Sequence, residues 1–210
     1  MTAAPAKPIV FIVDDDSSMR QALARLFRSV DLEAEAFGST AEMLRHSFPD
    51  VPSCLVLDVR LPGLSGLDFQ AELTKAGIKI PIIFMTGHGD VPMSVKAMKA
   101  GAVDFLTKPF RDQDMLDAVG LAIESDRTRR SGENTMTDVR TRFETLTARE
   151  REIMALVTTG LMNKQVAAEI GLSLITVKIH RGHIMKKMGA KSLADLVRRA
   201  EALGIPSIKA

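Results

Sequence analysis

The fold of the first half of the chain is decided by residues 9–16, Ile9-Val10-Phe11-Ile12-Val13-Asp14-Asp15-Asp16. Five consecutive β-branched and aromatic residues are typical of a strand that is buried on both faces. Three acids follow at the point where such a strand would end. This stretch therefore predicts a buried parallel strand whose carboxyl end carries a polar, acidic loop.

Four further strand-like runs alternate with helix-like segments up to residue 125. The strands are predicted at Glu33–Phe37, Cys54–Leu57, Ile80–Met85 and Ala102–Leu106. Apart from Asp104 in the last run, all but the first of these four are continuously apolar, as buried strands should be. Helical spacing is clearest for Met19, Leu23, Leu26, Phe27 and Val30, and more helices are predicted at about 39–46, 65–75, 91–100 and 111–125. The alternation predicts an α/β fold with a flavodoxin-like, doubly wound, five-stranded parallel sheet.

The strand signal stops after residue 125. Residues 126–142 are polar, charged and interrupted by Ser131-Gly132, and we interpret them as a linker that is partly helical near Val139 and Phe143. From Thr147 onward every pattern is helical, beginning with the capping-box spacing of Thr147 and Glu150. We therefore predict a domain at residues 1–125, a linker at 126–142 and a small all-α domain at 143–210.

The composition of the chain limits the classes of protein to which it can belong. The 210 residues are 46% hydrophobic with a mean hydropathy of +0.07, as in ordinary globular proteins. No apolar run is long enough to span a membrane, and the first eight residues lack the features of a signal peptide, so we expect a cytoplasmic protein. Cys54 cannot form an internal disulfide, because it is the single cysteine, and its apolar neighbours predict a buried thiol.

The charge is divided unevenly along the chain. Residues 1–125 hold 12 bases and 17 acids, for a net charge of −5, whereas residues 126–210 hold 16 bases and 9 acids, for +7. A basic C-terminal part favours an anionic partner, above all nucleic acid. The acidic N-terminal part should therefore have a function other than binding an anionic partner.

Polar residues also follow the later strands. Asp58 comes after the third strand, Thr86 after the fourth, and Lys108 after the fifth. Because the carboxyl ends of parallel strands share one edge of the sheet, these residues should meet the acids at 14–16. Carboxylates this close repel one another unless a cation lies among them, and Mg²⁺ favours carboxylates, water and phosphate oxygens. The pattern indicates a phosphoryl site in which Lys108 and Mg²⁺ neutralise charge and Asp58 is the best candidate nucleophile.

About residues 8–125 resemble the receiver domains of two-component response regulators. Four motifs carry the resemblance: Val13-Asp14-Asp15-Asp16, Leu57-Asp58-Val59-Arg60-Leu61-Pro62-Gly63, Met85-Thr86-Gly87-His88-Gly89 and Phe105-Leu106-Thr107-Lys108-Pro109-Phe110. The resemblance implies that Asp58 accepts a phosphoryl group from a phosphohistidine of a sensor histidine kinase. Asp15, Asp58 and the backbone carbonyl of Arg60 would bind Mg²⁺, and Asp14 would bind it through water. The chain would not be an enzyme, since it would assist only its own phosphorylation and dephosphorylation.

The same resemblance implies a switch. Thr86 would donate a hydrogen bond to the phosphoryl group, Lys108 would pair with that group, and Phe105 would swing inward together with Thr86. Arg60 and His88 lie at positions that tune dephosphorylation in such proteins. The altered face would comprise the fourth helix, fifth strand and fifth helix, and would form a homodimer through Val91, Val95, Lys99 and Asp104.

The C-terminal part has a helix-turn-helix pattern, with a short helix, a turn at Gly171-Leu172-Ser173 and a longer helix at about 174–188. The second helix of such a motif lies in the major groove of DNA. Core-facing positions on it are Val177, Ile184 and Met188. The outward positions are Lys178, Gly182 and Lys186, with Ile179 and His183 beside them. Such a positive stripe attracts phosphates, while the central side chains can read bases.

About residues 143–204 resemble the LuxR-type helix-turn-helix. The matching segments are Leu146-Thr147-Ala148-Arg149-Glu150-Arg151-Glu152, Gly160-Leu161-Met162-Asn163-Lys164-Gln165-Val166-Ala167 and Thr176-Val177-Lys178-Ile179-His180. The resemblance implies phosphate contacts from Asn163, Lys164 and Thr176, and base contacts from Lys178 and Ile179. We also expect Arg181 and Lys186 to contact DNA. Gly182 departs from the family pattern, in which a longer side chain often touches DNA.

Together the two parts resemble a FixJ/NarL-type response regulator. We expect phosphorylation at Asp58 to control dimerisation and binding to double-stranded promoter DNA, with RNA polymerase as a further candidate partner. One alternative is an aspartate-nucleophile phosphohydrolase in which Asp14 attacks and Asp16 is the acid/base, although the acidic pair expected after a later strand is replaced by Thr86-Gly87-His88. A second alternative is an interaction module that needs neither phosphorylation nor DNA.

Overall fold

The computed structural model describes residues 7–87 and 91–205, so His88 lies outside the described residues. The chain divides into two compact units between Arg130 and Ser131. Among the described helices, none combines the length and the apolar character needed to cross a membrane.

The first unit contains a parallel sheet between two layers of helices. Its strands are β1 (Ile9–Val13), β2 (Glu33–Phe37), β3 (Ser53–Asp58), β4 (Ile82–Thr86) and β5 (Asp104–Thr107). The helices that follow them in turn are α1 (Ser17–Ser29), α2 (Thr40–Leu44), α3 (Gly66–Lys75), α4 (Val91–Lys99) and α5 (Asp112–Glu144). The strand order is β2-β1-β3-β4-β5, which confirms the predicted flavodoxin-like, doubly wound sheet.

The three central strands carry the hydrophobic core on both faces. Every residue of β1, β3 and β4 is buried. One core cluster packs around Phe11 and Phe84, and the other packs around Ile12 and Phe27. Cys54 is fully buried, as predicted, and burial raises the pKa of its thiol because the thiolate would lose its hydration. The fifth strand was predicted to be equally buried, but β5 is half-buried or exposed because it pairs on one side only.

The structure differs from the sequence prediction at residues 126–142. Helix α5 continues through this segment to Glu144, so it is helical throughout rather than only near Val139 and Phe143. The segment contains no proline, and ion pairs three or four residues apart, such as Arg130 with Asp126 and Arg142 with Asp138, support the helix. These pairs compensate for the low helix propensity at Ser131-Gly132.

The second unit is helical, as predicted. Its helices after α5 are α6 (Ala148–Thr158), α7 (Asn163–Ile170), α8 (Leu174–Met188) and α9 (Leu193–Ala202). The Thr147–Glu150 capping box begins α6. Gly171 ends α7 with a φ of 67°, which favours glycine, and Ser173 caps the start of α8. Core residues from all four helices include Ile153, Met154, Val166, Val177, Ile184, Met188 and Leu196.

Candidate functional site

The loop after β1 is held in place by its own carboxylates and by one arginine. The Asp16 side chain caps α1 by accepting a hydrogen bond from the Ser18 amide at 2.8 Å. Asp14 Oδ1 accepts a hydrogen bond from the Asp16 amide, also at 2.8 Å. Arg20 Nη1 donates to the carbonyl oxygens of Asp14 and Asp15 at 2.6 and 2.9 Å. No sequence pattern pointed to Arg20, because its role depends on the geometry of this turn.

The loop after β3 approaches the backbone of Asp58 closely. The Arg60 amide donates to Asp58 Oδ1 at 2.7 Å, while the Arg60 side chain is exposed. A Cβ at Gly66 would lie 2.5 Å from the carbonyl oxygen of Asp58, so a larger residue would force the start of α3 away from this strand end. The chain therefore turns closely beside Asp58, and this turn requires glycine at residue 66.

Four charged side chains converge at this edge of the sheet. One carboxylate oxygen from each of Asp14, Asp15 and Asp58 lies within 4.8 Å of the others. Lys108 Nζ lies 2.7 Å from Asp14 Oδ2 and 2.6 Å from Asp58 Oδ2. Asp14 and Asp58 are buried, whereas Asp15 is exposed. Three hard oxygen donors with an opening to solvent match the preferences of Mg²⁺, and the ammonium can neutralise an incoming anion.

Burial and pairing shift the pKa values of two of these groups. Desolvation raises the pKa of Asp14, and the hydrogen bond from Lys108 only partly offsets this effect. Desolvation alone would lower the pKa of Lys108, but its hydrogen bonds to Asp14 and Asp58 outweigh that effect and raise it. Lys108 therefore remains a cation at neutral pH.

The two predicted switch residues lie on adjacent strands. Thr86 is fully buried at the end of β4, and its carbonyl oxygen accepts a hydrogen bond from the Lys108 amide at 2.7 Å. Phe105 of β5 is half-buried, and its ring centroid is 6.4 Å from that of Phe84. Their movement is not visible in a single conformation and stays a prediction.

The face of α4 and β5 that was predicted to form a dimer carries exposed apolar side chains. Val91 is 74% exposed and Val95 is 44% exposed, and Met98 continues the same exposed surface. Lys99 is exposed, whereas Asp104 is half-buried and accepts a hydrogen bond from the Phe105 amide.

The second unit presents the predicted helix-turn-helix. Val177, Ile184 and Met188 are buried, as predicted for the core face of α8. The opposite surface is exposed at Lys178, Ile179, Gly182 and Lys186, and Lys164 is exposed near the start of α7. The structure thus brings the basic residues and Ile179 to the solvent side, with space for an added side chain at Gly182.

Three of the predicted DNA contacts also bond within the protein. Arg181 Nη1 donates to Asn163 Oδ1 at 2.7 Å and so connects α8 to the start of α7. The Thr176 hydroxyl lies 2.8 Å from that of Ser173. The first contact could not be predicted, because it depends on the angle between α7 and α8, whereas the second belongs to the local cap of α8.

Sequence reasoning also missed two buried acids. Asp126 is fully buried and accepts hydrogen bonds from the Ser53 amide, Arg129 and Arg130. Glu150 is 3% exposed and bonds to Lys187 Nζ at 2.6 Å. The pKa of Glu150 is lowered because the bonds from Lys187 and the Thr147 amide outweigh the effect of burial. Its capping-box spacing was a partial signal, whereas nothing local distinguished Asp126.

Comparison with known proteins identifies both units. Residues 10–120 match the family described as "Response regulator receiver domain", and residues 144–200 match "Bacterial regulatory proteins, luxR family". Nodulation protein W of Bradyrhizobium diazoefficiens is 66% identical over 97% of this chain and 90% of its own. Response regulator protein TodT of Pseudomonas putida is 45% identical over 93% of this chain and 86% of its own.

A solved structure agrees with these matches. The structure of the response regulator StyR has a TM-score of 0.85 at 47% identity, covering 93% of this chain and 99% of its own. These similarities favour a regulator over the phosphohydrolase considered from the sequence. The chain belongs to the two-component response regulators and is a transcriptional regulator that joins a receiver domain to a LuxR-type DNA-binding domain.

Proposed function

We propose that Asp58 of the receiver domain accepts a phosphoryl group from a phosphohistidine of a sensor kinase, and that this controls DNA binding. The observation that carries the proposal is the position of Lys108, whose ammonium lies 2.6 Å from Asp58 Oδ2 at an open edge of the sheet. Asp58 itself is buried, but Asp15 of the same cluster is exposed, so the site opens to solvent there, and the Lys108 ammonium can neutralise the charge of an incoming phosphoryl group.

The residues present fit Mg²⁺. Asp14, Asp15 and Asp58 supply three carboxylate oxygens within 4.8 Å of one another, and such oxygens are ligands that Mg²⁺ favours. In the proposed site Asp15, Asp58 and the Arg60 carbonyl hold the ion directly, and Asp14 holds it through water. When bound, the ion neutralises charge on the phosphoryl oxygens.

The proposed transfer is a nucleophilic displacement at phosphorus. A carboxylate oxygen of Asp58 forms the new P–O bond, the P–N bond of phosphohistidine breaks, and the released imidazole nitrogen takes up a proton. Lys108 pairs with the transferred group, and the Thr86 hydroxyl donates a hydrogen bond to one of its oxygens. The chain acts on its own side chain in this scheme, so it is not an enzyme with a separate substrate.

Phosphorylation would change DNA binding by promoting dimerisation. We propose that Thr86 and Phe105 move together and remodel the face of α4, β5 and α5, where Val91 and Val95 are exposed. An exposed apolar surface of this kind favours contact with a second copy. Two helix-turn-helix domains in one dimer can then occupy adjacent half-sites on promoter DNA.

The proposed DNA contacts fall into two groups. Asn163, Lys164 and Thr176 contact phosphates, with Arg181 orienting Asn163 and Lys186 adding charge. Lys178 and Ile179 face the bases, where an ammonium can bond to guanine and an apolar side chain can contact the thymine methyl. We also propose a cytoplasmic location, where promoter DNA and RNA polymerase are accessible.

Intact mass spectrometry tests the first step. The wild type should gain a single phosphoryl group on incubation with Mg²⁺ and phosphoramidate, and Asp58→Asn should gain none. Asp31→Asn is the matched control, since Asp31 is exposed and its φ of 66° suits asparagine. An adduct on Asp58→Asn, or none on the wild type, would overturn Asp58 as the acceptor.

Sedimentation and DNA binding test the second step. The phosphorylated protein should dimerise and bind a selected promoter fragment more tightly than the unphosphorylated protein. If the two forms have the same mass in solution and the same DNA affinity, the proposed control of DNA binding is wrong.

A further inference from the structure

Two histidines and a buried carboxylate of the second unit meet between α6 and α8. One ligand atom from each of Glu150, His180 and His183 lies within 4.8 Å of the others. Glu150 is buried near the start of α6, His180 is half-buried and His183 is exposed on α8. The histidines are three residues apart, so they share one side of the helix.

From this arrangement we infer that Glu150, His180 and His183 form a binding site for a divalent transition-metal ion, with Zn²⁺ as the best match. Two imidazoles and one carboxylate are a ligand set that suits Zn²⁺, which is commonly held by three protein ligands and water. Imidazole ligands select against Mg²⁺, which prefers an all-oxygen shell.

The bonding of the individual atoms supports this site. Glu150 Oε2 is held by the Thr147 amide at 2.8 Å and by Lys187 Nζ at 2.6 Å. Glu150 Oε1 instead faces the histidines and lies 3.9 Å from His183 Nδ1. His180 Nδ1 is buried and has no hydrogen-bond partner among the described residues. The unpartnered imidazole nitrogen and the fixed carboxylate oxygen beside it are two potential ligand atoms, and a bound cation would satisfy both.

The distances require only a small closure. Metal–ligand bonds of about 2.0–2.2 Å place two ligands of one zinc ion at most roughly 4 Å apart. The largest separation in the cluster is within 4.8 Å, so the side chains need to close by about 1 Å. His183 can provide this movement, because its side chain is 60% exposed. Lys187 competes with the ion for the charge of Glu150 but bonds to the other oxygen.

An ion at this position would connect two helices of the DNA-binding unit. Glu150 belongs to α6, and both histidines belong to α8, which also carries the proposed base-reading residues. Binding to the folded state alone raises the stability of that state. Zn²⁺ should therefore raise the unfolding temperature of this unit, and the rise should depend on the histidines.

The test uses the full chain stripped of metal and dialysed against Zn²⁺ in the presence of excess Mg²⁺, which occupies the acidic cluster. The wild type should retain one Zn²⁺ per chain by elemental analysis. His183→Gln and His180→Gln should each lower the affinity for Zn²⁺ by at least roughly 10- to 100-fold, because even the loss of a residue that only hydrogen-bonds to a metal ligand lowers metal affinity by this much. His46→Gln, which removes a histidine from the first unit, is the control and should retain the ion.

Histidine-ring NMR gives a second readout. The chain has four histidines, and Zn²⁺ should shift the ring signals of His180 and His183 but not those of His46 or His88. Absence of retained zinc on the wild type would overturn the site. Equal retention by His183→Gln, or shifts confined to the other two histidines, would overturn it as well. Because His183 is exposed, its variant should fold, and its circular dichroism spectrum checks this.

Discussion

Replacing Asp126 by alanine is expected to destabilise the receiver domain, although the residue lies outside the acidic cluster. Its carboxylate is fully buried in the first part of α5 and accepts a hydrogen bond from the Ser53 amide at 3.0 Å. It also accepts bonds from Arg129 at 2.5 Å and Arg130 at 2.6 Å, and Arg130 extends to Asp50. Asp126 therefore fixes α5 to the beginning of β3.

The magnitude follows from what each partner loses. The Ser53 amide belongs to a residue that is 4% exposed, so it would be left without an acceptor, at a cost of about 1–3 kcal/mol. The side chains of Arg129 and Arg130 are 30% and 24% exposed, so water replaces part of their bonding and their loss costs only ~1 kcal/mol together. The sum is a loss of about 2–4 kcal/mol in the free energy of unfolding.

Urea unfolding with hydrogen exchange resolved by peptide measures this loss in the first unit separately. Amides of β3, including that of Ser53, should lose protection in Asp126→Ala. Glu124→Ala is the matched control on the same helix, because Glu124 pairs with Arg127 at the surface and should change stability by less than about 0.5 kcal/mol. If Asp126→Ala is as stable as this control and β3 stays protected, the reasoning about the buried carboxylate is refuted.

Three further predictions concern the stability of the second unit, the proposed DNA contact of Lys178 and the proposed dimer. Gly182→Ala should stabilise the second unit by about 0.5–1 kcal/mol, because Gly182 is exposed within α8 and an added Cβ meets no atom within 4 Å. An unchanged unfolding temperature in calorimetry would contradict this prediction. Lys178→Ala should weaken binding to a selected promoter fragment by about 1–3 kcal/mol, measured by fluorescence anisotropy, whereas the control Lys75→Ala on the receiver domain should not weaken it. Equal effects of the two substitutions would contradict a base contact by Lys178. Val95→Glu should abolish phosphorylation-dependent dimerisation in sedimentation experiments without reducing phosphorylation of Asp58, and a persistent dimer would exclude Val95 from the interface.

The sheet and its functional edge could be predicted because both depend on local patterns. Continuous apolar runs predicted β1, β3 and β4, and their order followed from the rules for parallel sheets. The convergence of Asp14, Asp58 and Lys108 needed only the fact that parallel strands end at one edge. Capping spacings predicted the start of α6 in the same way.

The remaining features depend on distant partners. The helical state of residues 126–142 rests partly on Asp126, whose acceptor role depends on Ser53, 73 residues earlier in the chain. The Arg181–Asn163 bond likewise depends on how α7 and α8 pack. A polar segment and a basic helix look the same in sequence whether or not such partners exist.

The ion pairs of Lys108 set a condition on the proposed phosphorylation. Both carboxylate oxygens of Asp58 are already bonded, Oδ1 to the Arg60 amide and Oδ2 to Lys108. Once an oxygen of Asp58 forms the acyl phosphate, the negative charge lies on the phosphoryl oxygens, and the ammonium is attracted there instead. Lys108 must therefore exchange one partner during the reaction, although it can keep Asp14.

This exchange is also where the signal would begin. Lys108 follows directly on β5, which contains Phe105, and its amide bonds to the carbonyl of Thr86 at 2.7 Å. A shift of the ammonium toward the phosphoryl group therefore acts on the same strand ends that carry both proposed switch residues. Charge neutralisation and switching would then be two effects of one movement, so Lys108→Met should uncouple phosphorylation of Asp58 from dimerisation. Sedimentation of the phosphorylated variant measures this, and a normal dimer would show that the switch works without Lys108.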